Sequence, residues 1–313
     1  MNVRAETAGD DRARGKEPAG YAIGGTTFGA PRLAAGLYLV ATPIGNLGDI
    51  TIRALETLAG ADLIACEDTR VTRKLLDRFA IATPLTPYHD HNAASARPKL
   101  IEKLAAGGSI ALVSDAGTPL ISDPGFKLVR EVSQAGFAVS ALPGASSVLA
   151  ALCLAGLPTD RFFFEGFLPS KATGRRTRIA ELSRIDATLV LFESGSRIAG
   201  SLDDLAAGLG TRDAAVCREM TKLHEEVLRG PLPDLARGGN ELETRGEFVV
   251  VVAPPARADA VMSDADLDDA LRNALAVGSV KDAVAEIAEI SGRAKRDVYA
   301  RALELAKQMK GGR

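Results

Sequence analysis

A turn-rich segment that follows an apolar run constrains the fold of this chain more than any other stretch. The run Ile110–Val113 predicts a buried strand, and Val113–Gly125 then contains two glycines, two prolines, two aspartates, two serines and one threonine. Proline fixes φ and removes a backbone donor, while glycine permits positive φ and lets a ligand approach the main chain. Ligands of open α/β sheets bind beyond the carboxyl ends of strands. The segment therefore predicts either the floor of a small polar-ligand site or an ordinary connecting loop.

Alternating strand and helix patterns fill the first half of the chain. Apolar runs predict strands at Leu37–Ala41, Asp62–Cys66, Ser109–Val113 and Ala138–Leu142. Helical spacing between and after them covers Arg70–Phe79, Asn92–Ala106, Asp123–Ala135 and Val148–Ala155. This alternation predicts the α/β class, with a parallel sheet covered by helices.

Proline-containing segments divide the rest of the chain. Beyond Gly156–Thr159, strands are predicted at Phe162–Phe167, Ala187–Phe192 and Phe248–Val252, and Pro254-Pro255 closes this part. Helical spacing then runs from 263 to 312, where the terminal Arg293–Arg313 holds seven basic and two acidic residues. We predict four parts: a disordered extension at 1–35, an α/β domain at 36–156, a second α/β domain at 157–255 and a small basic helical domain at 256–313.

Composition and charge narrow the class of protein. The 313 residues carry a formal net charge of −2, which does not by itself indicate a nucleic-acid partner. Three isolated cysteines predict a cytoplasmic protein and argue against a disulfide framework or a metal site. The sequence has no run of about eighteen apolar residues, so we expect no membrane span.

Several separate motifs occur in a fixed order. Asp115–Pro119 reads Asp-Ala-Gly-Thr-Pro, Ser122–Gly125 reads Ser-Asp-Pro-Gly, and Leu142–Ser147 reads Leu-Pro-Gly-Ala-Ser-Ser. Together they resemble the tetrapyrrole-methylase-like family of S-adenosylmethionine methyltransferases. Within that family, Leu37–Leu47 and the Cys-Glu-Asp-Thr-Arg of Cys66–Arg70 are similar to the methyltransferases of small-subunit ribosomal RNA. An ordered set of motifs is far more specific than one glycine-rich match.

The resemblance implies an architecture, a reaction and a set of contacts. It implies two α/β domains with a cofactor cleft between them, a C-terminal helical module and a homodimer. The implied reaction moves a methyl group from S-adenosylmethionine, without a metal, to the 2′-hydroxyl of a cytidine in the 16S rRNA of the small ribosomal subunit. The residues that it assigns to the cofactor are Pro43, Asp115, Ala116, Gly117, Thr118, Pro119, Ser122, Ser146 and Ser147, with Phe192 and Gly246 approaching from the second domain. Ser146 can also cap the helix that follows it.

Charged segments at predicted strand ends are candidates for the chemistry. The 2′-hydroxyl must lose a proton during the transfer, and we expect Asp68, or Lys222 with a lowered pKa, to accept it. Thr69 can alternatively cap the next helix, with Asp68 favourable near its positive end. The predicted substrate contacts are Glu67, Arg70, Lys171, Arg175, Arg176 and Arg218.

A basic cluster follows the predicted strand Phe162–Phe167. Lys171, Arg175, Arg176 and Arg178 have no acidic residue between them, which predicts either an RNA-facing patch or a solvated helix face. The basic C-terminal helices favour the same kind of partner.

Two other functions remain open for the sequence. The first is a small-molecule methylase that acts on a tetrapyrrole, although Cys66–Arg70, Arg218–Lys222 and the basic C-terminal helices argue against it. The second is a non-catalytic RNA-binding module, which would show no affinity for S-adenosylmethionine. Helix-turn-helix binding to DNA would suit the C-terminal helices taken alone.

Overall fold

The computed structural model describes residues 19–240, 243–255, 262, 264–291 and 293–311. It begins with an antiparallel hairpin of β1 (Gly20–Ile23) and β2 (Thr26–Gly29). Tyr21 of this hairpin is buried, stacks on Phe28 with ring centroids 5.5 Å apart, and joins the core of the sheet that follows. The prediction of disorder through residue 35 is therefore wrong from residue 19 onward, because one buried aromatic ring anchors a mostly polar hairpin. Residues 1–18 lie outside the described residues.

Five parallel strands form the first sheet, in the order β5-β4-β6-β3-β7. The strands are β3 (Gly36–Val40), β4 (Leu63–Cys66), β5 (Leu85–Pro87), β6 (Ser109–Val113) and β7 (Val139–Leu142). The helices between and after them are α1 (Ile52–Gly60), α2 (Thr69–Arg78), α3 (Ala93–Ala105), α4 (Phe126–Gln134) and α5 (Ser147–Ala155). Separate apolar cores lie on the two faces of the sheet, as a sheet buried on both sides requires. The predicted α/β class is confirmed.

A second five-stranded sheet is mixed, in the order β11-β10-β12-β9-β8. Its strands are β8 (Phe162–Phe167), β9 (Thr188–Ser194), β10 (Asp213–Arg218), β11 (Glu226–Pro231) and β12 (Glu247–Val252). Helices α6 (Ala172–Leu182), α7 (Ile198–Leu209) and α8 (Leu232–Arg237) contribute to the core on one face. β8 and β9 run parallel, whereas β9, β12, β10 and β11 pair antiparallel.

Helix α5 belongs to the first half of the chain but packs on the second sheet. Its apolar side chains, including Ala151 and Leu152, join a core with Val190 of β9, Cys217 of β10 and Val249 of β12. The same core includes Ile44 from the loop after β3, and Ala145 from the loop after β7 packs against it, so apolar contacts bring loops at the carboxyl ends of the first sheet against the second sheet.

Three helices follow the second sheet: α9 (Asp264–Val277), α10 (Val280–Ile290) and α11 (Lys295–Gly311). They enclose a small core of their own, formed by Leu267, Leu271, Val284, Ile287, Val298, Ala302 and Leu305. Acidic residues of α9 offset part of the basic charge, since Asp268 pairs with Arg301 at 2.6 Å and Asp264 with Arg293 at 2.7 Å. Across the described ranges, no helix combines the length and apolar content needed to cross a membrane.

Candidate active site

Loops at the carboxyl ends of β3, β6 and β7 meet at one place. The backbones of Thr42 and Gly117 exchange two hydrogen bonds of 2.9 Å, which ties the loop after β3 to the loop after β6. The Thr118 hydroxyl donates to the Ala145 carbonyl at 3.2 Å, which ties the loop after β6 to the loop after β7. The two turns that the sequence placed after separate strands are therefore adjacent in space.

The loop after β6 holds its shape through unusual backbone angles. Gly117 has a φ of +76°, which glycine adopts without strain, but Leu120 and Ser122 also have positive φ values, of +75° and +61°. Side-chain-bearing residues in this region cost about 1–3 kcal/mol each and occur where the surrounding structure holds them in place, often at functional sites. The strained loop borders the cavity described next.

A cavity of about 330 Å³ lies between these loops and the second sheet. That volume is within the range of small-molecule sites. From the first half of the chain it is lined by Ile44, Asp115, Ala116, Gly117, Thr118, Ile121, Ser122, Asp123, Ser146, Ser147 and Val148. From the second half it is lined by Phe167, Phe192, Glu193, Ser194, Met220, Gly246, Glu247, Phe248 and Val249. The wall of the cavity therefore presents hydroxyl and carboxylate groups together with apolar side chains.

Most residues predicted to contact a cofactor line this cavity. They are Asp115, Ala116, Gly117, Thr118, Ser122, Ser146, Ser147, Phe192 and Gly246. Pro43 and Pro119 are buried and are not among the lining residues. The Ser146 hydroxyl also accepts the backbone N–H of Leu149 at 3.5 Å, so Ser146 is the N-cap of α5, as the sequence suggested.

Three carboxylates of the cavity wall, those of Asp123, Glu193 and Glu247, were not selected from the sequence. Burial raises the pKa of Asp123, and the nearby Asp115 acts in the same direction against a hydrogen bond with Ser114. Glu193 is buried, and it accepts the Ser201 hydroxyl at 2.5 Å and the backbone N–H of Ser194 at 2.8 Å. Asp123 belongs to the Ser-Asp-Pro-Gly motif, so its position in a turn after a strand was the signal that could have identified it.

Asp68 lies outside the cavity wall and has other partners. Its side chain accepts the backbone N–H of Arg70 at 2.8 Å, so Asp68, rather than Thr69, is the N-cap of α2. The hydrogen bonds and charge of Arg70 lower the pKa of Asp68 to about 2. The backbone N–H of Asp68 donates to the Asp115 carboxylate at 3.0 Å, which connects it indirectly to the cavity.

Lys222 also lies outside the cavity wall and reaches it through one lining residue, Glu247. Its Nζ donates to Glu219 at 2.8 Å and to Glu247, which lines the cavity, at 3.0 Å. Burial alone would lower the pKa of Lys222, but the hydrogen bonds to the two carboxylates outweigh it and the pKa is raised. The expectation of a lowered pKa is therefore wrong, because the sequence gives no sign that two glutamates converge on this ammonium.

The basic cluster after β8 is largely paired with carboxylates. Arg175 is only 11% exposed in its side chain and, like Arg176, forms an ion pair with buried Asp204 of α7. Arg178 donates to Glu165 and Glu181 at 2.6 Å. The cluster is therefore not an unpaired basic patch.

The remaining predicted substrate contacts differ in exposure. Arg70 and Lys171 are exposed, whereas Arg218 is mostly buried and donates to the Arg245 carbonyl at 2.9 Å. Burial, followed by the charges of neighbouring aspartates, raises the pKa of Glu67. Arg70 and Arg176 are ion-paired with Asp68 and Asp204, but their side chains are 87% and 71% exposed, so they and exposed Lys171 are the members of this predicted set that a large partner can reach.

Fold and cavity together define a two-domain α/β protein that has a ligand-sized cleft between its sheets. Residues 36–236 match the family described as Tetrapyrrole (Corrin/Porphyrin) Methylases, and residues 261–306 match the RsmI C-terminal HTH domain. A relative from Mesorhizobium japonicum, named ribosomal RNA small subunit methyltransferase I, is 50% identical and covers 90% of this chain and 96% of its own. The chain therefore belongs to the tetrapyrrole methylase family and, within it, to the family of ribosomal RNA small subunit methyltransferase I. The resemblance predicted from the motifs is confirmed.

Solved structures agree with this assignment at the level of the fold. A diphthine synthase has a TM-score of 0.55 at 19% identity and covers 69% of this chain and 89% of its own. A uroporphyrin-III C-methyltransferase from Thermus thermophilus, complexed with S-adenosylhomocysteine, has a TM-score of 0.50 at 20% identity and covers 71% of this chain and 99% of its own. The predicted two-domain architecture with C-terminal helices is confirmed.

Proposed function

We propose that this protein transfers a methyl group from S-adenosylmethionine to the ribose 2′-hydroxyl of a cytidine in the 16S rRNA of the small ribosomal subunit. The observation that carries the proposal is the cavity between the sheets, where nine residues assigned to the cofactor from the motifs come together. The name of the relative from Mesorhizobium japonicum supports small-subunit rRNA as the substrate class.

The lining of the cavity suits this methyl donor. Ile44, Val148, Met220 and Phe192 provide an apolar surface for a purine ring, and the hydroxyls of Ser146 and its neighbours can bond its polar groups. The φ of +76° at Gly117 favours glycine in this part of the floor, where a Cβ would only reach ordinary van der Waals contact with Ile44 at 3.4 Å. When bound, S-adenosylmethionine supplies an activated methyl group on a sulfonium. The protein then has to hold the acceptor oxygen in line with that group.

The acceptor hydroxyl must lose its proton, and the geometry favours Asp123 over the two residues expected from the sequence. Asp123 lines the cavity, and burial raises the pKa of its carboxylate, which makes it a stronger base than a solvated aspartate. Arg70 makes Asp68 a weak base, and Glu219 and Glu247 keep Lys222 protonated. Lys222 and Asp68 stay in the proposal as neighbours that fix the cavity wall through Glu247 and Asp115.

RNA contact is assigned to exposed basic groups and to the C-terminal helices. Arg70 and Lys171 are exposed, and phosphate contacts of this kind supply most nucleic-acid affinity. The C-terminal residues match a domain described as helix-turn-helix, which gives the module a nucleic-acid-binding precedent. The homodimer and the cytoplasmic location stay predictions from the family and the cysteines.

The direct test is incubation with labelled S-adenosylmethionine and small subunits from cells that lack this protein. We expect one methyl group per subunit, and mass spectrometry of nuclease digests should place it on a cytidine ribose. A methyl group on a base would contradict the 2′-hydroxyl assignment. Methylation of a porphyrinogen instead of the subunits would favour a tetrapyrrole methylase, and absence of S-adenosylmethionine binding would favour a non-catalytic RNA-binding module.

A further inference from the structure

An irregularity in β8 determines which face of the second sheet carries the ring of Phe167. The pairing of β8 with β9 shifts by one residue at Glu165, so that Phe167, and not Gly166, lies opposite Phe192. A bulge of this kind moves the following side chain to the other face of a sheet, and bulges are frequent next to active sites. Phe192 faces α5 and the cavity. The extra residue therefore places Phe167 on the cavity side of the sheet.

Contacts on both sides hold the bulge in place. Gly166 has a φ of +74°, and a Cβ there would lie 2.9 Å from the Ser122 hydroxyl oxygen of the cavity loop. Glu165 accepts two hydrogen bonds from Arg178 of α6, at 2.6 and 2.7 Å. The bulge thus lies close against the loop after β6 at Gly166 and is bonded to α6 at Glu165.

Three phenylalanine rings lead from the interior to the mouth of the cavity. The ring centroids of Phe164 and Phe192 are 4.9 Å apart and those of Phe192 and Phe167 are 5.6 Å apart, both in edge-to-face contact. Phe164 and Phe192 are half-buried, whereas Phe167 is 55% exposed and still lines the cavity. Phe167 therefore offers an aromatic surface that is supported from behind by a second ring.

We propose that Phe167 is a stacking platform for the base of the nucleotide whose ribose is methylated, an inference that rests on the proposed function. A nucleotide in folded RNA has to leave its stack before its ribose can enter a cavity, and proteins hold such bases on aromatic rings. Exposed Ile121 lines the same cavity beside Ser122, so a base on Phe167 would meet a second apolar surface. Lys171, four residues further along the chain, is exposed for a phosphate.

The position of Phe167 separates it from the surface assigned to the methyl donor. The donor residues lie mainly on the loops of the first sheet, from Asp115 to Ser122 and at Ser146 and Ser147. Phe167 extends the wall of the second sheet beyond the half-buried ring of Phe192 toward solvent. An RNA base arrives from that side, whereas a small cofactor can be enclosed deeper in the cavity.

Two single tryptophan variants test the platform by fluorescence quenching, a readout that does not require methyl transfer. The chain contains no tryptophan, so Phe167→Trp introduces a single fluorophore at the platform. Phe162→Trp is the matched control, because Phe162 lies at the other end of β8, is 45% exposed and is not among the cavity residues. With both proteins saturated with S-adenosylhomocysteine, a cytidine trinucleotide added up to millimolar concentration should quench Phe167→Trp by stacking and leave Phe162→Trp unchanged.

Three results of this titration would overturn the inference. They are absence of quenching in Phe167→Trp, equal quenching in both variants, and full quenching by S-adenosylhomocysteine alone. The last result would mean that the ring contacts the cofactor.

Methylation of unmodified small subunits gives an independent measurement. Base–aromatic stacking predicts that Phe167→Leu lowers the rate by about tenfold to a hundredfold, while Phe167→Tyr retains it. The affinity for S-adenosylhomocysteine, measured by calorimetry, should be the same in all three proteins. An unchanged rate in Phe167→Leu would contradict the platform. A wild-type protein without activity on subunits would contradict the proposed function instead, and the tryptophan titration would still decide on the platform.

Discussion

Partners, rather than residue type, decide what each charged residue near the cavity can do. Asp68 and Asp123 are both aspartates that follow strands of the first sheet. Arg70 holds the pKa of Asp68 at about 2, whereas burial raises the pKa of Asp123. The carboxylate that lines the cavity is therefore the stronger base of the two, although the sequence pointed to the other.

Replacing the Asp123 carboxylate should separate activity from stability. Asp123→Asn removes the proposed proton acceptor, and we expect the methylation rate to fall by about 10²–10⁴-fold. Because a partly buried carboxylate with a raised pKa destabilises the folded state at neutral pH, the free energy of unfolding should stay equal or rise. Rates on small subunits and urea unfolding curves measure the two effects.

The pH dependence follows from the direction of the same shift. The carboxylate must be ionised to accept a proton, so the wild-type rate should be full above the raised pKa of Asp123 and should decrease as the pH falls through it. Asp90→Asn, which changes an exposed carboxylate outside the cavity, is the control and should keep both rate and profile. A large loss of rate in Asp68→Asn with none in Asp123→Asn would restore the assignment made from the sequence.

For single residues, the sequence predicted which positions line the cavity better than it predicted what each side chain does. Gly117, Thr118 and Ser146 were selected from turns after strands, and all three line the cavity. Arg175 was selected as an RNA contact, yet it is buried against Asp204, which lies 29 residues further along the chain. Ion pairs between residues so far apart in sequence depend on how α6 and α7 pack, and local patterns carry no information about that packing.

At the scale of elements, the bulge in β8 is the feature that local patterns could not provide. The run Phe162–Phe167 predicted a strand, and the strand is present with the same bounds. Alternation along a regular strand would place Phe167 on the face opposite to Phe164. The shift at Glu165 reverses that placement, and it becomes apparent only when the pairing with β9 is known.

A pair of glycine variants tests the bulge. Gly166→Ala should destabilise the protein by about 1–2 kcal/mol, because alanine disfavours the left-handed backbone and its Cβ would displace the Ser122 side chain. Gly174→Ala, eight residues further along in α6, has no neighbour closer than 3.4 Å and should stabilise by about 0.5–1 kcal/mol. Urea unfolding of both variants gives the comparison. Equal effects would show that the backbone at Gly166 is not constrained.

At the scale of the whole molecule, α5 determines how the two sheets face each other. The sequence predicted two domains and the helix itself, but it did not predict that this helix packs on the second sheet. Its apolar residues gave no preference between the two sheets, because either could bury them. The cavity exists only where loops of one sheet meet strands of the other, so its composition could be predicted in part and its enclosure could not.

Two leucines of α5 measure the contribution of this interface. Leu152 is 5% exposed and packs in the apolar core that α5 shares with the second sheet, so Leu152→Ala should lower the free energy of unfolding by about 2–5 kcal/mol. Leu149, on the same helix but 55% exposed, is the control, and Leu149→Ala should change it by less than about 0.5 kcal/mol. Chemical denaturation measures both values. A similar loss in both variants would mean that helix stability, rather than the interface, is being measured.

One contact across the cleft limits how this protein can be recombined with its relatives. The backbone N–H of Asn46 donates to the Thr221 hydroxyl at 3.1 Å, and a side chain at Gly45 would overlap the stem of Lys222. A chimera joined near Gly156 would therefore take the two sides of this contact from different parents. Such hybrids should assemble only when the donor of the first half carries glycine at position 45 or the donor of the second half carries a shorter side chain at position 222.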